Sequence, residues 1–208
     1  MFRTLLKTLS AGSVVVGDRC FSSYFAVAAM LRHSVDLVSR LTTSRLTALG
    51  DPAQCVTLKN GEMLMTWKRP FRRGWMTPEE YAEVPKTLTL RVLTVTVAEK
   101  GFRVKHLRVI TTLLDAQRDP GDTLAWLYRK RWHVEIDLRA IKTTMCLDIL
   151  RGQTPHMMRL ELFVGLLAVN LIRLKLLTAA SQSDDLTPRD VSFTSALTIL
   201  SAGYTSVL

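Results

Sequence analysis

The 208-residue chain is short of cysteine: Cys20, Cys55 and Cys146 stand far apart, in neither a CxxC metal pair nor an even set that could form a disulfide framework. That excludes a disulfide-stapled secreted fold, and a reducing cytosol fits best. Acidic residues are also scarce, 18 Asp and Glu against 28 Lys and Arg, for a formal net charge of +10. A chain so basic favours a polyanionic partner, nucleic acid first and an anionic membrane surface second. Uninterrupted apolar runs are missing as well. "MFRTLLKTLSAGS" has no apolar stretch long enough for a signal peptide and reads as an ordinary helix. "LELFVGLLAVNLIRLKLL" is broken by Glu161, Asn170 and Arg173 and suits a core helix better than a membrane span. There is no internal repeat and no low-complexity tract. What is present, 48% hydrophobic and 22% charged residues, is the composition of a folded protein, so disorder does not explain the basic balance.

"SVVVGDRC" is a β-branched run closed by Gly17 and Asp18, the pattern of a buried strand ending at a polar loop with Asp18 at its tip. "SSYFAVAAMLRHS" comes next as a helix capped by Ser22 or Ser23, and "VDLVSRL" as a second strand, which together make the strand-helix-strand unit of an α/β layer. From Thr42 to Val104 the texture changes to short alternating runs, with Asn60-Gly61 and Lys100-Gly101 as turn signals, and predicts antiparallel hairpins. "PFRRGWMTPEEYAEVP" lies between them as an irregular, basic and aromatic excursion. After the turn-rich "DAQRDPGD", helical periodicity runs from Thr123 to Met145. A second helix starts after Thr154-Pro155 and runs to about Ala180, "SQSDDLTPRD" is a linker, and "VSFTSALTILSAG" a last short helix.

On a straight α-helix, Leu127, Val134, Leu138, Ile141 and Met145 fall within roughly 60° and predict a buried stripe. Tyr128, Arg131, Glu135 and Lys142 fall in a second stripe of about 60° beside it. Arg129, Lys130, His133, Asp137 and Thr144 face away and read as solvated. Two readings of Glu135 stand side by side: helical pairing with Arg131 and Arg139, worth a few tenths of a kcal/mol, or ligation of a divalent cation while Arg131 and Lys142 hold phosphates. Basic residues centre on "WKRPFRR" (Trp67, Lys68, Arg69, Arg72 and Arg73) and "YRKRW".

The spacing Tyr128, Arg131, Glu135, Lys142 resembles the Tyr-Arg-Glu-Lys signature of the DDE transposases of bacterial insertion sequences, in the group called insertion-sequence family four. "GDRCFSSYFAVAAML" resembles that group's second-aspartate motif, and "LDILRGQTPHMMRLELFVGLLAVNLIR" the helices behind the signature. The resemblance covers Val14 to Leu177. It implies an α/β fold: an RNase H-like catalytic core with a β-rich insertion between the second-aspartate strand and the glutamate helix. The divisions expected are 1–41 for sheet and second aspartate, 42–110 for the insertion, 111–180 for the glutamate helix and the helix after it, and 181–208 for linker and last helix. Asp18 and Glu135 carry over as catalytic carboxylates and ligands of Mg²⁺ or Mn²⁺. Tyr128, Arg131 and Lys142 carry over as contacts to the DNA of the insertion-sequence terminal repeats. Trp67 and Trp75 carry over as candidates for stacking on an unpaired base.

The group uses three carboxylates, yet none of the 17 residues before Asp18 is acidic. The first catalytic aspartate is absent, and Asp36, Asp115 and Asp119 are poorly placed to replace it. The resemblance therefore implies a shortened, cytoplasmic bacterial transposase polypeptide that binds metal weakly, does not cut DNA alone, and forms a homodimer or joins full-length transposase. The alternative is a DNA-binding remnant that occupies transposon ends or inhibits the full-length enzyme. A third reading, from another class, is a basic structural protein with no nucleic-acid role.

Overall fold

Val14–Gly17 (β1) and Asp36–Arg40 (β2) lie parallel, Val14 beside Asp36 and Gly17 beside Ser39. In this computed structural model, which describes residues 2–51, 53–58, 60–97 and 105–205, the helix Tyr24–Arg32 (α2) joins them, capped by the Ser23 hydroxyl on the Ala26 N–H. Phe2–Leu6 (α1) precedes β1, and Thr43–Leu46 (α3) comes after β2. Four further strands extend the sheet: Cys55–Thr57 (β3), Met63–Lys68 (β4), Thr87–Val97 (β5) and Lys105–Thr111 (β6). Their order is β1-β2-β6-β5-β4-β3, and every pair but the first is antiparallel. The expected hairpins thus continue the sheet of the parallel pair. Asn60-Gly61 makes the β3–β4 turn, where Gly61 takes a φ of 79° that disfavours a side chain. The other turn signal, Lys100-Gly101, lies outside the described residues.

Both faces of this sheet are covered. Leu37, Leu88, Leu90 and Val92 pack with Leu6, Tyr24, Val27 and Met30 of α1 and α2. Val38, Leu93, Val95 and Val109 pack on the opposite side with Leu124 and Tyr128 of Gly121–Lys130 (α5). Where both faces are covered the strands are apolar at consecutive positions, as at Leu37–Val38 and Val92–Leu93. The excursion between β4 and β5 is not wholly irregular. It holds the short helix Pro78–Ala82 (α4), started by a capping box in which the Thr77 hydroxyl accepts the Glu80 N–H and Glu80 accepts that of Thr77.

One charge lies inside the second layer. Arg91, in the middle of β5, is 0% exposed. Its Nε meets Glu62 Oε2 at 2.5 Å and its Nη2 meets Oε1 at 3.0 Å. Its Nη1 donates to the Asp119 carbonyl at 2.7 Å, with longer bonds of 3.4 Å to the carbonyls of Leu113 and Asp115. The guanidinium thereby gathers the loop from which α5 springs. A β-carbon at Gly121 would collide with the Glu62 carboxylate, so the first residue of α5 must be small.

The chain divides into two compact units, Met1–Arg131 and Trp132–Leu208, and the boundary falls inside the Tyr-Arg-Glu-Lys spacing. The second unit is helical: Trp132–Arg139 (α6), a π-helical turn at Ala140–Thr144, Pro155–Ala180 (α7) and Phe193–Thr205 (α8). The predicted single helix from Thr123 to Met145 is therefore corrected. It is interrupted at Arg131, whose N–H bonds the Tyr128 carbonyl in a tightened turn, and the π-turn changes the helical phase a second time. The predicted buried stripe fails with it, for Val134 and Leu138 are exposed while Ala140 is buried. Asp137 is not simply solvated. Its carboxylate accepts two hydrogen bonds from Arg189, at 2.6 and 3.0 Å, and pairs with Arg173 of α7 at 2.9 Å.

α7 starts at Pro155, one residue earlier than expected, with Thr154 as cap. It buries only one stripe, Val169, Ile172, Leu176 and Ala180, and leaves Leu160, Phe163, Leu167 and Leu171 exposed. By length and composition alone α7 could cross a bilayer, with a mean hydropathy of 1.8. Arg173 bound to Asp137, and Glu161 accepting the N–H groups of Arg151 and Gly152, are contacts within a folded helical unit.

Replacing Glu62 by Ala is expected to cost about 3–5 kcal/mol, because the Arg91 charge is left buried without its counter-ion. Burial pushes the Glu62 carboxyl up, but hydrogen bonds from Arg91 and Asn60 and the Arg91 charge outweigh it and hold the group below its ordinary value. A depressed carboxyl stabilises the fold above its unfolded value, about 4.3 for Glu. That contribution is lost as pH falls through the lower folded value. Urea unfolding measured at decreasing pH should show the wild type losing stability in acid more steeply than Glu62→Ala; parallel losses would contradict the assignment.

Candidate nucleic-acid interface

β1 ends at Gly17, where a β-carbon would stand 2.9 Å from the Phe21 β-carbon of the next turn, so the position suits glycine. Asp18 then leaves the strand in an extended conformation, and its carboxylate accepts the Arg19 N–H at 2.7 Å. Its carbonyl is held twice, by the Phe21 N–H at 2.9 Å and by the Ser39 hydroxyl at 2.8 Å. Ser39 is wholly buried, beside Gly17 in the parallel register. The exposed Asp18 carboxylate thus stands at the C-terminal ends of the only parallel strand pair among the described residues.

Tyr128 of α5 reaches the same end. Burial raises its phenol above the ordinary value, and the Asp18 charge adds to the rise while Arg131 and Arg40 oppose it. Asp18, Arg131 and Arg40 are therefore each within electrostatic reach of the Tyr128 hydroxyl. The Arg131 guanidinium lies 6.0 Å from the Tyr128 ring centre. Arg40, exposed at the last position of β2, was not singled out from the sequence. No spacing rule marks it, and only the parallel pairing carries it to the end where Asp18 stands.

Glu135 and Lys142 belong to the second unit, Glu135 half-buried on α6 and Lys142 exposed in the π-turn. Asp36 opens β2 beside Val14, at the opposite end of the pair from Asp18, and accepts the Thr112 hydroxyl. Asp115 caps its own turn by accepting the N–H groups of Gln117 and Arg118. Neither adds a carboxylate to the Asp18 end.

The "WKRPFRR" residues separate by task. Trp67 corrects the sequence expectation: it is 0% exposed, because β4 turns Met65 and Trp67 into the core, so its ring is closed to a base. Arg69 stacks on Tyr81 at 4.0 Å and donates to the carbonyls of Tyr81 and Val84, and Arg72 donates to the Met76 carbonyl, so both organise the excursion itself. Lys68, Arg73 and Trp75 are exposed.

Asp18 and Glu135 are the hard oxygen donors that Mg²⁺ and Mn²⁺ take. Among the described residues, however, no group of three or more His, Cys, Asp or Glu side chains is placed to hold an ion. Asp18 with its neighbours Tyr128, Arg40 and Arg131 does not make a complete two-metal site. The same cluster is well suited to an anion: two guanidiniums and a phenol beside one carboxylate at a strand terminus.

A family profile described as Transposase DDE domain matches residues 1–171, most of the chain, and the chain belongs to this family. Within it the likeness is to the IS4 type. The chain is 39% identical, over 108 residues, to the transposase InsG for insertion sequence element IS4 of Escherichia coli K12, a match covering 51% of this chain and 23% of that one. It is also 31% identical over 99 residues to the transposase for insertion sequence element IS421 and to the putative transposase InsL for IS186A, both of Escherichia coli, covering 46% of this chain and 26% of each. The matched stretches thus amount to about a quarter of these relatives' length.

Ser39→Ala should destabilise the protein by about 1 kcal/mol, the net worth of one buried hydrogen bond, since the Phe21 N–H still satisfies the Asp18 carbonyl. Urea unfolding checks this, and an unchanged midpoint would mean that the hydroxyl does not hold Asp18.

Proposed function

We propose that this chain carries the part of an insertion-sequence transposase that grips the DNA of the element's ends, for metal-dependent strand cleavage and transfer. The observation that carries the reading is the gathering of Asp18, Tyr128, Arg131 and Arg40 at one end of the parallel pair. It is joined by membership of the Transposase DDE domain family. In this reading the sheet is an RNase H-like core, 42–110 is its β-rich insertion, and Asp18 and Glu135 are the second and third catalytic carboxylates. Arg131 and Arg40 bind the phosphate next to the reacting one, oriented by the Tyr128 hydroxyl, and Lys142 holds a further phosphate. Lys68 and Arg73 extend the basic surface along the DNA. The family works with divalent metal, and Mg²⁺ or Mn²⁺ are the ions proposed; with two of three carboxylates, this polypeptide is expected to hold DNA without cutting it.

The second reading is a DNA-binding protein with no strand chemistry, acting by covering the element's ends or by joining full-length transposase in an unproductive assembly. It is favoured by the excess of 28 Lys and Arg over 18 Asp and Glu, which suits binding to a polyanion and requires no strand chemistry. Both readings place the protein in the bacterial cytoplasm, on DNA.

Binding to a DNA duplex, followed by fluorescence anisotropy across a salt series, should weaken steeply as salt rises. Arg131→Ala and Lys142→Ala should each lower the salt slope by about one, and Glu135→Ala should leave affinity nearly unchanged. Salt-independent binding would overturn the DNA assignment. Mg²⁺- or Mn²⁺-dependent nicking of a plasmid carrying the element's ends, lost in Glu135→Ala, would overturn the expected inactivity and remove the second reading.

A further inference from the structure

The second unit holds a cavity of about 510 Å³ that the DNA reading does not use. α6, the π-turn, α7, the linker after it and the start of α8 all contribute to its wall. Its volume lies within the ordinary range for small ligands, about 300–1,000 Å³. Leu176, Val191 and Phe193 form an apolar part of the wall, Leu176 buried and the other two half-buried. Arg139, Arg173 and Arg189 form a charged part, and Asp137 is the only acid among the lining residues.

Two of the three guanidiniums are held in place. Arg189 donates from both Nη atoms to the two oxygens of Asp137, at 2.6 and 3.0 Å, and Arg173 Nη2 stands 2.9 Å from the same Oδ1. One carboxylate oxygen thus fixes two cations side by side. Donors remain on each, since a guanidinium carries five N–H groups. The hydrogen bond from Arg189 holds the Asp137 carboxyl below its ordinary value against burial, with the charges of Arg173, Arg189 and His133 adding to the effect, so the carboxylate stays ionised. Three guanidiniums against one carboxylate leave an excess of two positive charges at the cavity. α8 begins in this wall with no acid in its first turn, so nothing there offsets the positive end of its dipole. Like charges gathered out of bulk water repel, and an anion between them relieves the repulsion.

The size of the excess selects the anion. A carboxylate or a phosphodiester brings a single negative charge and matches half of it. A phosphomonoester carries about 1.5–2 negative charges at pH 7 and three acceptor oxygens, one for each guanidinium, and arginine forks match such oxygens in pairs. We propose that the cavity binds a phosphomonoester, its head group joined by Arg139, Arg173 and Arg189 and its apolar body lying against Leu176, Val191 and Phe193. The proposal stands apart from the DNA reading, because none of these residues belongs to the Tyr-Arg-Glu-Lys spacing. Arg139 is on α6 with Glu135, Arg173 on α7, and Arg189 shortly before α8. A bound head group therefore ties the glutamate helix to the two helices after it. Two sources offer this group: a free small molecule, and the phosphorylated 5′ end of a DNA strand.

Calorimetric titration of the full chain with phenyl phosphate tests the site, with inorganic phosphate, methyl phenyl phosphate and benzoate for comparison. Phenyl phosphate is expected to bind about tenfold or more tighter than the diester or the carboxylate, the ratio that one charged hydrogen bond supports. Arg139→Ala, at an exposed position outside the Asp137 clasp, should weaken phenyl phosphate by a similar factor. Phe193→Ala should weaken phenyl phosphate several-fold and leave inorganic phosphate unchanged, with circular dichroism showing that the helix content is kept. No binding of phenyl phosphate at millimolar concentration, or equal affinity for diester and monoester, overturns the proposal. Affinity untouched by both substitutions places the binding elsewhere and overturns it as well. Competition by an oligothymidylate sorts the source. Displacement by a 5′-phosphorylated strand and not by a 5′-hydroxyl strand supports a DNA end, and displacement by neither supports a free small molecule. Equal displacement by both strands shows that diesters satisfy the cavity, and overturns the assignment to a monoester. Salt-independent duplex binding, which overturns the DNA reading, leaves each of these results as it stands.

Discussion

The buried guanidinium of Arg91 is the interaction on which the first unit depends. A charge at 0% exposure is tolerated only where its donors are matched, and here Glu62 takes one from Nε and one from Nη2 while the loop before α5 takes those of Nη1. Apolar packing alone would let α5 slide or rotate over the sheet, since Leu and Val contacts are not directional. The carbonyl of Asp119 and the tight fit of Gly121 against Glu62 fix where the helix begins. Its start fixes the position of Tyr128 two turns later, and hence of Arg131. The ion pair thus contributes geometry to the end where Asp18 and Tyr128 stand, whatever its net effect on stability.

That end is made by topology. A parallel strand pair joined by a helix brings two C-terminal strand ends side by side, and the residues leaving those ends are neighbours however far apart they are in sequence. Asp18 and Arg40 come to the same end in this way, with Ser39 tying the Asp18 backbone to β2. The antiparallel strands β3 to β6 carry the sheet away from this edge and hold the excursion with Arg73 and Trp75. Under the proposed DNA reading, one sheet would serve two kinds of contact: a charged strand end, and a decorated loop at its side.

Much of this was legible in the sequence, for reasons that can be named. The β1-α2-β2 unit announced itself through a β-branched run, a serine cap and a second apolar run, all local signals. Asn60-Gly61 marked its turn, and Thr154-Pro155 marked the start of α7 to within a residue. The capping box at Thr77 and Glu80 was equally local and could have been read. Arg91 could not: in "TLTLRVLTVTV" an arginine looks like an outward strand residue, and its partner Glu62 is 29 positions away. The glutamate helix misled because a wheel assumes one straight helix, whereas the turn at Arg131 and the π-turn at Ala140–Thr144 each change its phase. Trp67 and Trp75 are alike in composition terms and opposite in burial, since β4 pleats one inward and the other lies beyond the strand.

The most direct test of this account is a double-mutant cycle between Glu62→Ala and Arg131→Ala, read as duplex DNA affinity at a temperature where circular dichroism shows every variant folded. If the buried pair positions the start of α5, and through it Arg131, then Glu62→Ala already forfeits much of what Arg131 contributes. Adding Arg131→Ala should then cost far less than it does in the wild type, a coupling of the kind that contacting or co-positioned residues show. The same loss in both backgrounds would mean that Arg131 acts independently of the Arg91 anchor, and would contradict the account.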